Sequence, residues 1–277
     1  VRHAAADAAD TFAANRAVGR IALAVAANNS VTRRSRVAEQ GSLRVRCPGP
    51  PADELEAVIV NTAGGVAGGD RFDLDVAVAP RARLVVTTAA AEKVYRTLAP
   101  DATIDVKLAV GAGGSLAWLP QETILFDRAR LRRSIEIDLA EGAKLLLAEA
   151  IVFGRSGMGE AVEDCSLFDR WRLRRAGALL HAEAVRLDGA IAAKLAKPAI
   201  AKGGIAVATV LVVPGDEATV EGVRALGDEF RGEVGASAWN GFAVVRFCAA
   251  DGAALRHDLV SVLTSVRGAA LPRLWLN

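Results

Sequence analysis

Side chains suited to gripping a metal ion or acting as a nucleophile are scarce in this 277-residue chain. It has three cysteines, Cys47, Cys165 and Cys248, and three histidines, His3, His181 and His257. None of the six stands at the short spacings that build a zinc site or a redox dithiol. The odd, scattered cysteine count also argues against a disulfide framework and fits a reducing compartment. Aromatic residues make up only 5% of the chain, with a single tyrosine, and the net charge is +2. That leaves neither the stacking platforms nor the positive field that nucleic acid requires. No apolar run approaches the ~18 residues a membrane-spanning helix needs, and the first residues lack a basic-then-apolar targeting pattern. These absences predict a soluble cytoplasmic protein with no membrane or nucleic-acid partner and no tightly bound cofactor.

Alanine, valine and leucine dominate what is present. Apolar residues reach 52% and the mean hydropathy is +0.27, a composition that suits tightly packed strands and leaves apolar surface for a partner. Residues 1–16, rich in alanine and aspartate, read as a flexible leader, and residues 17–277 as one domain. Alternation predicts strands over 19–27, 31–39, 41–47 and 55–60. The stretch Asn61-Thr62-Ala63-Gly64-Gly65-Val66-Ala67-Gly68-Gly69-Asp70 invites a phosphate-loop reading. It lacks Gly-Lys-Ser/Thr, and a period-2 strand (Phe72, Leu74, Val76, Val78) follows in place of a helix, so a glycine-rich bend is expected.

A repeat of about 30 residues then organises the chain. Leu84, Leu116, Leu145 and Leu179 each follow a turn by two or three residues. The polar segments after these strands, 88–96, 120–127 and 149–160, are expected to fall along one edge of the stack. The last of them, Gly154-Arg155-Ser156-Gly157-Met158-Gly159-Glu160, reads as a tight loop that needs all three of its glycines. Helical spacing appears only late. Asp216 caps a helix carrying Val220, Val223, Leu226 and Phe230, and a second helix runs from Asp251 to Val266 and ends at Gly268. The tail 271–277 reads as extended. The predicted fold class is mainly β, an irregular β-solenoid of superhelically stacked hairpins with two helices in the C-terminal half.

Chemistry is thin. No Gly-x-Ser-x-Gly elbow occurs, and Cys165 has no histidine near it in sequence. Phe126-Asp127-Arg128-Ala129-Arg130-Leu131-Arg132-Arg133 is echoed by Phe168-Asp169-Arg170-Trp171-Arg172-Leu173-Arg174-Arg175, which sets arginines at alternate positions and so on one face of each strand. That face is either solvated edge protection or a dock for an acidic protein. Glu92, Glu122, Asp127, Glu149, Glu160 and Glu183 gather on the predicted edge. They are suited to acid/base hydrolysis by a carboxylate pair, to weak oxygen ligation of a divalent ion, or to salt bridges with the arginines.

Six ordered segments resemble the UreD (UreH) family of urease accessory proteins. They are Asn61-Thr62-Ala63-Gly64-Gly65 with Gly68-Gly69-Asp70, Thr87 through Arg96, Trp118 through Phe126, Gly154 through Glu160, Asp169-Arg170-Trp171, and Leu271-Pro272-Arg273-Leu274-Trp275. The chain departs from the family pattern at Ala89 and at Ser156-Gly157. The resemblance implies a non-enzymatic maturation factor with a β-rich fold and a pair of helices. It also implies partners UreF, the GTPase UreG and apo-urease, and nickel in transit toward the urease active site. On that basis Glu122, Glu149 and Glu160 are expected on a nickel path. Glu92, Tyr95, Arg96, Gln121, Arg130, Arg132, Arg155, Met158, Arg172, Arg174 and Trp275 are expected at partner surfaces. A β-solenoid hydrolase and a scaffold indifferent to metal are the competing readings.

Overall fold

The computed structural model describes residues 16–98 and 100–276, so the leader expected over residues 1–16 lies, but for Arg16, outside the described residues. Seventeen strands follow in order: β1 (Val18–Asn28), β2 (Val31–Gly41), β3 (Leu43–Arg46), β4 (Glu54–Asn61), β5 (Arg71–Val78), β6 (Arg83–Thr88), β7 (Glu92–Val94), β8 (Ala102–Val110) and β9 (Ser115–Leu119). Then come β10 (Thr123–Leu125), β11 (Arg130–Leu139), β12 (Lys144–Phe153), β13 (Asp164–Arg175), β14 (Ala178–Ala190), β15 (Ala206–Val213), β16 (Glu233–Trp239) and β17 (Phe242–Ala249). Three helices complete the described residues: α1 (Ile191–Leu195), α2 (Glu217–Arg224) and α3 (Gly252–Arg267).

The strands form two facing sheets. One has the order β14-β13-β11-β8-β5-β1-β2, the other β16-β17-β15-β12-β9-β6-β4-β3. From β4 to β13 the chain alternates between them, and within each sheet these strands run parallel, with β5, β8, β11 and β13 in one and β4, β6, β9 and β12 in the other. Each turn of the chain is therefore an arch whose two strands face each other across the core, giving β-solenoid-like coils. The repeat leucines show it, since Leu84, Leu116 and Leu145 stand directly beside one another. Leu179 does not join them. It sits on β14, which turns back antiparallel against β13 at the edge of the other sheet, and it is half exposed.

Side-chain periodicity explains the layers. β11 turns Leu131, Arg133, Ile135, Ile137 and Leu139 inward and the alternate residues outward. β12 is buried on both faces from Leu145 to Phe153 because it has a core on each side. Between the sheets lies the larger core, which includes Leu84, Leu116, Leu131 and Leu145. A second core, with Leu119, Val210, Leu259 and Trp275, fills the space between the outer face of the β12 sheet and the helices α2 and α3. Each large side chain fully withdrawn from water here contributes roughly 1.5–3 kcal/mol.

The helices start and stop where their caps dictate. Thr219 N donates to Asp216 Oδ1 at 3.0 Å ahead of α2, Ala254 N donates to Asp251 Oδ1 at 2.8 Å ahead of α3, and Gly268 ends α3 at φ +63°. Two expectations need correction. The loop after Asp188 contains α1, which buries Ile191 and Leu195 against the end of β13 and β14. The tail is not extended but makes a 3-10 turn, Arg273–Trp275, that drives Trp275 into the second core, where its Nε1 donates to the Leu119 carbonyl at 3.0 Å.

Candidate functional site

Two regions bring the chemistry-bearing residues together. The first is a short parallel ladder at one end of the coils. β7 pairs with β10, and β10 with the end of β12, in the register Glu92–Thr123–Ile151 through Val94–Leu125–Phe153. A bridge from Val66 to Val94 adds the glycine-rich bend to the same row. The residues that leave the ladder then stack across it. Tyr95 donates its hydroxyl to the Gly64 carbonyl at 2.8 Å and meets Phe126 edge-on at 5.2 Å, while the Arg155 guanidinium lies 4.1 Å over the Phe126 ring.

The bend itself is structural. A Cβ on Gly65, whose φ is +148°, would come within 2.4 Å of Tyr95 Cε2. Asp70, buried, accepts from Ala17 N at 2.8 Å and Ala67 N at 2.7 Å and so closes the bend. The Gly154–Glu160 segment is likewise a closed turn, with Arg155 bridged to Glu160 through the backbone and by an ion pair at 2.7 Å. Gly154 needs its φ of +86°, since a Cβ there would meet the Glu160 carbonyl at 2.5 Å. Gly157, expected to be equally necessary, has open space around it and no positive φ.

Glu92 lies in this row. Asn61 Nδ2 donates to both of its carboxylate oxygens at 3.2 Å. Burial raises its pKa, the Asn61 hydrogen bond opposes that, and the Asp70 charge adds to it, leaving the carboxyl at about 7. Arg96 and Met158 are exposed on loops of the same end, Met158 at 76%.

The second region is a cavity of about 520 Å³ between the sheets, under their last strands. Arg133 from β11, Glu149 from β12 and Asp169 from β13 meet on its wall, all three buried. Arg133 donates from Nε to Asp169 Oδ1 at 3.0 Å, from Nη2 to Asp169 Oδ2 at 2.5 Å, and from Nη1 to Glu149 Oε2. Trp118 Nε1 donates to Glu149 Oε1 at 2.8 Å and Trp171 Nε1 to Asp169 Oδ1 at 3.0 Å. Burial acts to lower the Arg133 pKa, but Asp169 and Glu149 outweigh it and keep the guanidinium charged; burial raises the pKa of Glu149. Beyond this cluster, Glu183 on β14 and Arg246 on β17 pair across the gap, with Val185 and Ile200 half-exposed beside them.

The three glutamates expected on a nickel path thus stand apart. Glu149 alone lines the inter-sheet cavity. Glu122 pairs with Arg256 of α3 at 2.8 Å, in a groove shared with Ile124, Val152 and Arg155 on the other face of the β12 sheet, and Glu160 pairs with Arg155. All three are arginine-paired, although only Arg133 comes from the two arginine-rich strands. Those strands are neighbours in one sheet. Arg170, Arg172 and Arg174 point outward and share Glu136 at 3.2, 3.9 and 2.9 Å, Arg130 pairs with Asp101 at 2.7 Å, and Arg132 covers the Phe168 ring at 5.2 Å.

Two residues expected at partner surfaces are interior. Trp275 is 1% exposed and Gln121 is 6% exposed, with Arg256 Nη1 donating to Gln121 Oε1 at 2.8 Å. Their apolar or amphipathic character reflects the packing of α3 and the tail. Sequence pattern names no partner for Arg133, since its contact with Asp169 depends on which strands become neighbours. The signal it does carry is a charged residue at an inward position between Leu131 and Ile135.

No group of three or more His, Cys, Asp or Glu side chains among the described residues is arranged to hold a metal ion. Cys165 is inert, since burial with Asp164, Asp188 and Asp127 nearby pushes its thiol up to about 12. A hydrolytic carboxylate pair needs one carboxyl free to give up a proton, whereas Arg133 and the two indole N–H groups occupy both Glu149 and Asp169. No helix of the described residues is long and apolar enough to cross a membrane.

Comparison with known proteins adds to this geometry. A family model described as UreD urease accessory protein matches residues 17–276. A relative from Rhodopseudomonas palustris named urease accessory protein UreD is 60% identical over 266 residues, covering 96% of this chain and 93% of its own. Another from a second strain of that organism is 59% identical over 267 residues, covering 96% of both chains. The UreD of Bradyrhizobium diazoefficiens is 59% identical over 266 residues, again covering 96% of both.

Proposed function

Because the chain belongs to the UreD family of urease accessory proteins, we propose that it serves urease maturation as a binding scaffold through which nickel travels to the apo-enzyme. In this reading UreF, UreG and apo-urease dock on its surfaces, and it catalyses no reaction of its own. The observation that carries the ion path is the inter-sheet cavity, with apolar walls and carboxylates at Glu149, Asp169 and Glu183.

The chemistry suits a relay. Nickel held by a cage of imidazoles and thiolates leaves slowly, whereas carboxylate oxygens exchange readily. Glu149 is the interior stepping point, and Glu122 and Glu160 are partly buried carboxylates that release an arginine when the ion or a partner arrives. The ladder row of Tyr95, Arg155 and Met158, together with Glu92 and Arg96, offers a mixed aromatic, cationic and apolar surface of the kind that proteins bury on association. The outward row of Arg130, Arg132, Arg172 and Arg174 gives an acidic partner its complement.

The deciding experiment co-expresses the chain with UreF, UreG and urease and follows complex mass, urease nickel content and urease activity. Glu149→Gln is expected to leave the complex intact and to lower nickel content and activity together. Full activation with Glu149→Gln would remove the cavity from the path and leave a scaffold indifferent to metal.

A further inference from the structure

The cavity cluster carries a charge imbalance. Arg133 supplies one positive charge against two carboxylates, so at formal charges Arg133, Glu149 and Asp169 sum to one net negative charge, facing a cavity instead of packed protein. Such a site attracts cations, and one cation is already there as the guanidinium. Its fork spans both carboxylates and so takes the place between them that another cation would need. The two indoles matter here. Trp118 and Trp171 donate to Glu149 Oε1 and Asp169 Oδ1, so each carboxylate is held in orientation by a donor other than Arg133. The oxygen pair is thus preorganised even without its arginine.

We propose that Arg133 is a tethered cation that stops Glu149 and Asp169 from retaining a divalent first-row metal ion, so that the cavity admits such an ion only in passing. This rests on the reading of the cavity as an ion path. An incoming divalent ion meets a cluster of charge −1 that becomes +1 on binding, with a fixed guanidinium beside it. Without Arg133 the same oxygens present charge −2 and are neutralised by one ion. The arginine therefore sets the residence time of the ion, and the carboxylates set its position. It is a selectivity residue, in that a cluster with a built-in positive charge discriminates against storage.

The test uses the purified full chain, freed of metal with chelator, and nickel(II) chloride as the probe in isothermal titration. The variants are Arg133→Met, which keeps length and loses charge, and Arg133→Met combined with Glu149→Gln. The single variant is expected to gain one nickel equivalent bound at least about tenfold more tightly than by the unsubstituted chain, and the double variant to lose that gain. A folded single variant that binds nickel no better than the unsubstituted chain overturns the proposal. If Arg133→Met is unfolded in chelator and folds on addition of nickel, as followed by circular dichroism, the ion has replaced the guanidinium and the proposal stands. If it stays unfolded with and without nickel, the two carboxylates cannot hold the ion and the proposal fails. These measurements need neither urease nor partners. A gain of nickel binding in Arg133→Met alongside full urease activation by Glu149→Gln would keep the tethered cation and discard the path.

Discussion

Glu183 and Arg246 join the two sheets where their last strands separate, the Arg246 Nη2 donating to Glu183 Oε2 at 2.7 Å and Nη1 to Thr209 Oγ1 at 3.0 Å. His181 Nε2 lies 3.3 Å from the same carboxylate and packs against Phe242 at 5.3 Å between ring centres. Burial would raise the Glu183 pKa, but the hydrogen bonds from His181 and Arg246 and the charge of Arg246 outweigh it and hold the carboxyl at about 2.

That depression fixes a pH dependence. The folded state binds the Glu183 proton more weakly than the unfolded chain does, so the contribution is complete above the ordinary carboxylate value of 4.5 and is lost as pH falls toward about 2. With Arg246 half exposed, solvent screening reduces the effect to about 1–2 kcal/mol. Glu183→Gln is expected to destabilise the chain by that amount near neutral pH and by much less at about pH 3. Urea denaturation at the two pH values checks this, and an equal deficit at both would assign the loss to packing.

Glu92 has the opposite sign. Its pKa of about 7 means that the folded chain keeps a proton that the unfolded chain has already released above 4.5. Stability therefore falls as pH rises through that window, by about 2 kcal/mol once solvent access is allowed for. Glu92→Gln should match the parent in thermal stability at about pH 4.5 and exceed it at about pH 8. Equal stability at the higher pH would show that Asn61 already offsets the burial.

Gly65→Ala tests the bend. The new methyl would stand 2.4 Å from Tyr95 Cε2 and 2.8 Å from the Lys93 carbonyl, so either ring or backbone has to move. A loss of about 2–4 kcal/mol is expected. Because the chain has one tyrosine, fluorotyrosine labelling reports Tyr95 as a single resonance, which should shift. An unmoved resonance with parental stability would refute the close approach.

Arg256 clamps the C-terminal packing. It donates from Nη1 to Gln121 Oε1 and Glu122 Oε1, both at 2.8 Å, and from Nη2 to the Leu274 carbonyl at 3.0 Å, and it lies 5.2 Å over the Trp275 ring. Arg256→Met removes the charged donor from partly buried acceptors and is expected to cost about 2–3 kcal/mol. Limited proteolysis should cut residues 269–276 sooner than in the parent chain. Unchanged cleavage would mean that Trp275 burial alone holds the tail.

Much of this architecture can be read from residue pattern. The strand alternation at Phe72, Leu74, Val76 and Val78, the caps at Asp216 and Asp251 and the stop at Gly268 all rest on local rules, and each stands where those rules put it. The 30-residue recurrence of Leu84, Leu116 and Leu145 likewise reflects a repeating local geometry. What pattern does not carry is partnership at long range. Leu179 matches the repeat in spacing, yet its strand reverses into the opposite sheet. Trp275 looks like a surface anchor until α3 is seen to cover it. The Arg133–Glu149–Asp169 cluster joins three strands from two sheets, and nothing short of the fold tells an arginine which of many carboxylates it will meet.

The ladder of β7, β10 and β12 has a bearing on how this surface changes over time. Tyr95, Phe126 and Gly154 leave it at successive rungs, and backbone hydrogen bonds fix the rungs about 4.8 Å apart whatever the side chains are. The 5.2 Å between the Tyr95 and Phe126 rings and the 4.1 Å from Arg155 to Phe126 follow that pitch. The surface is a ruler with interchangeable marks: substitutions can rewrite what each mark says to another molecule, but they leave the distance between marks untouched. Two binding faces built to one such ruler can trade residues position by position and still stay in step.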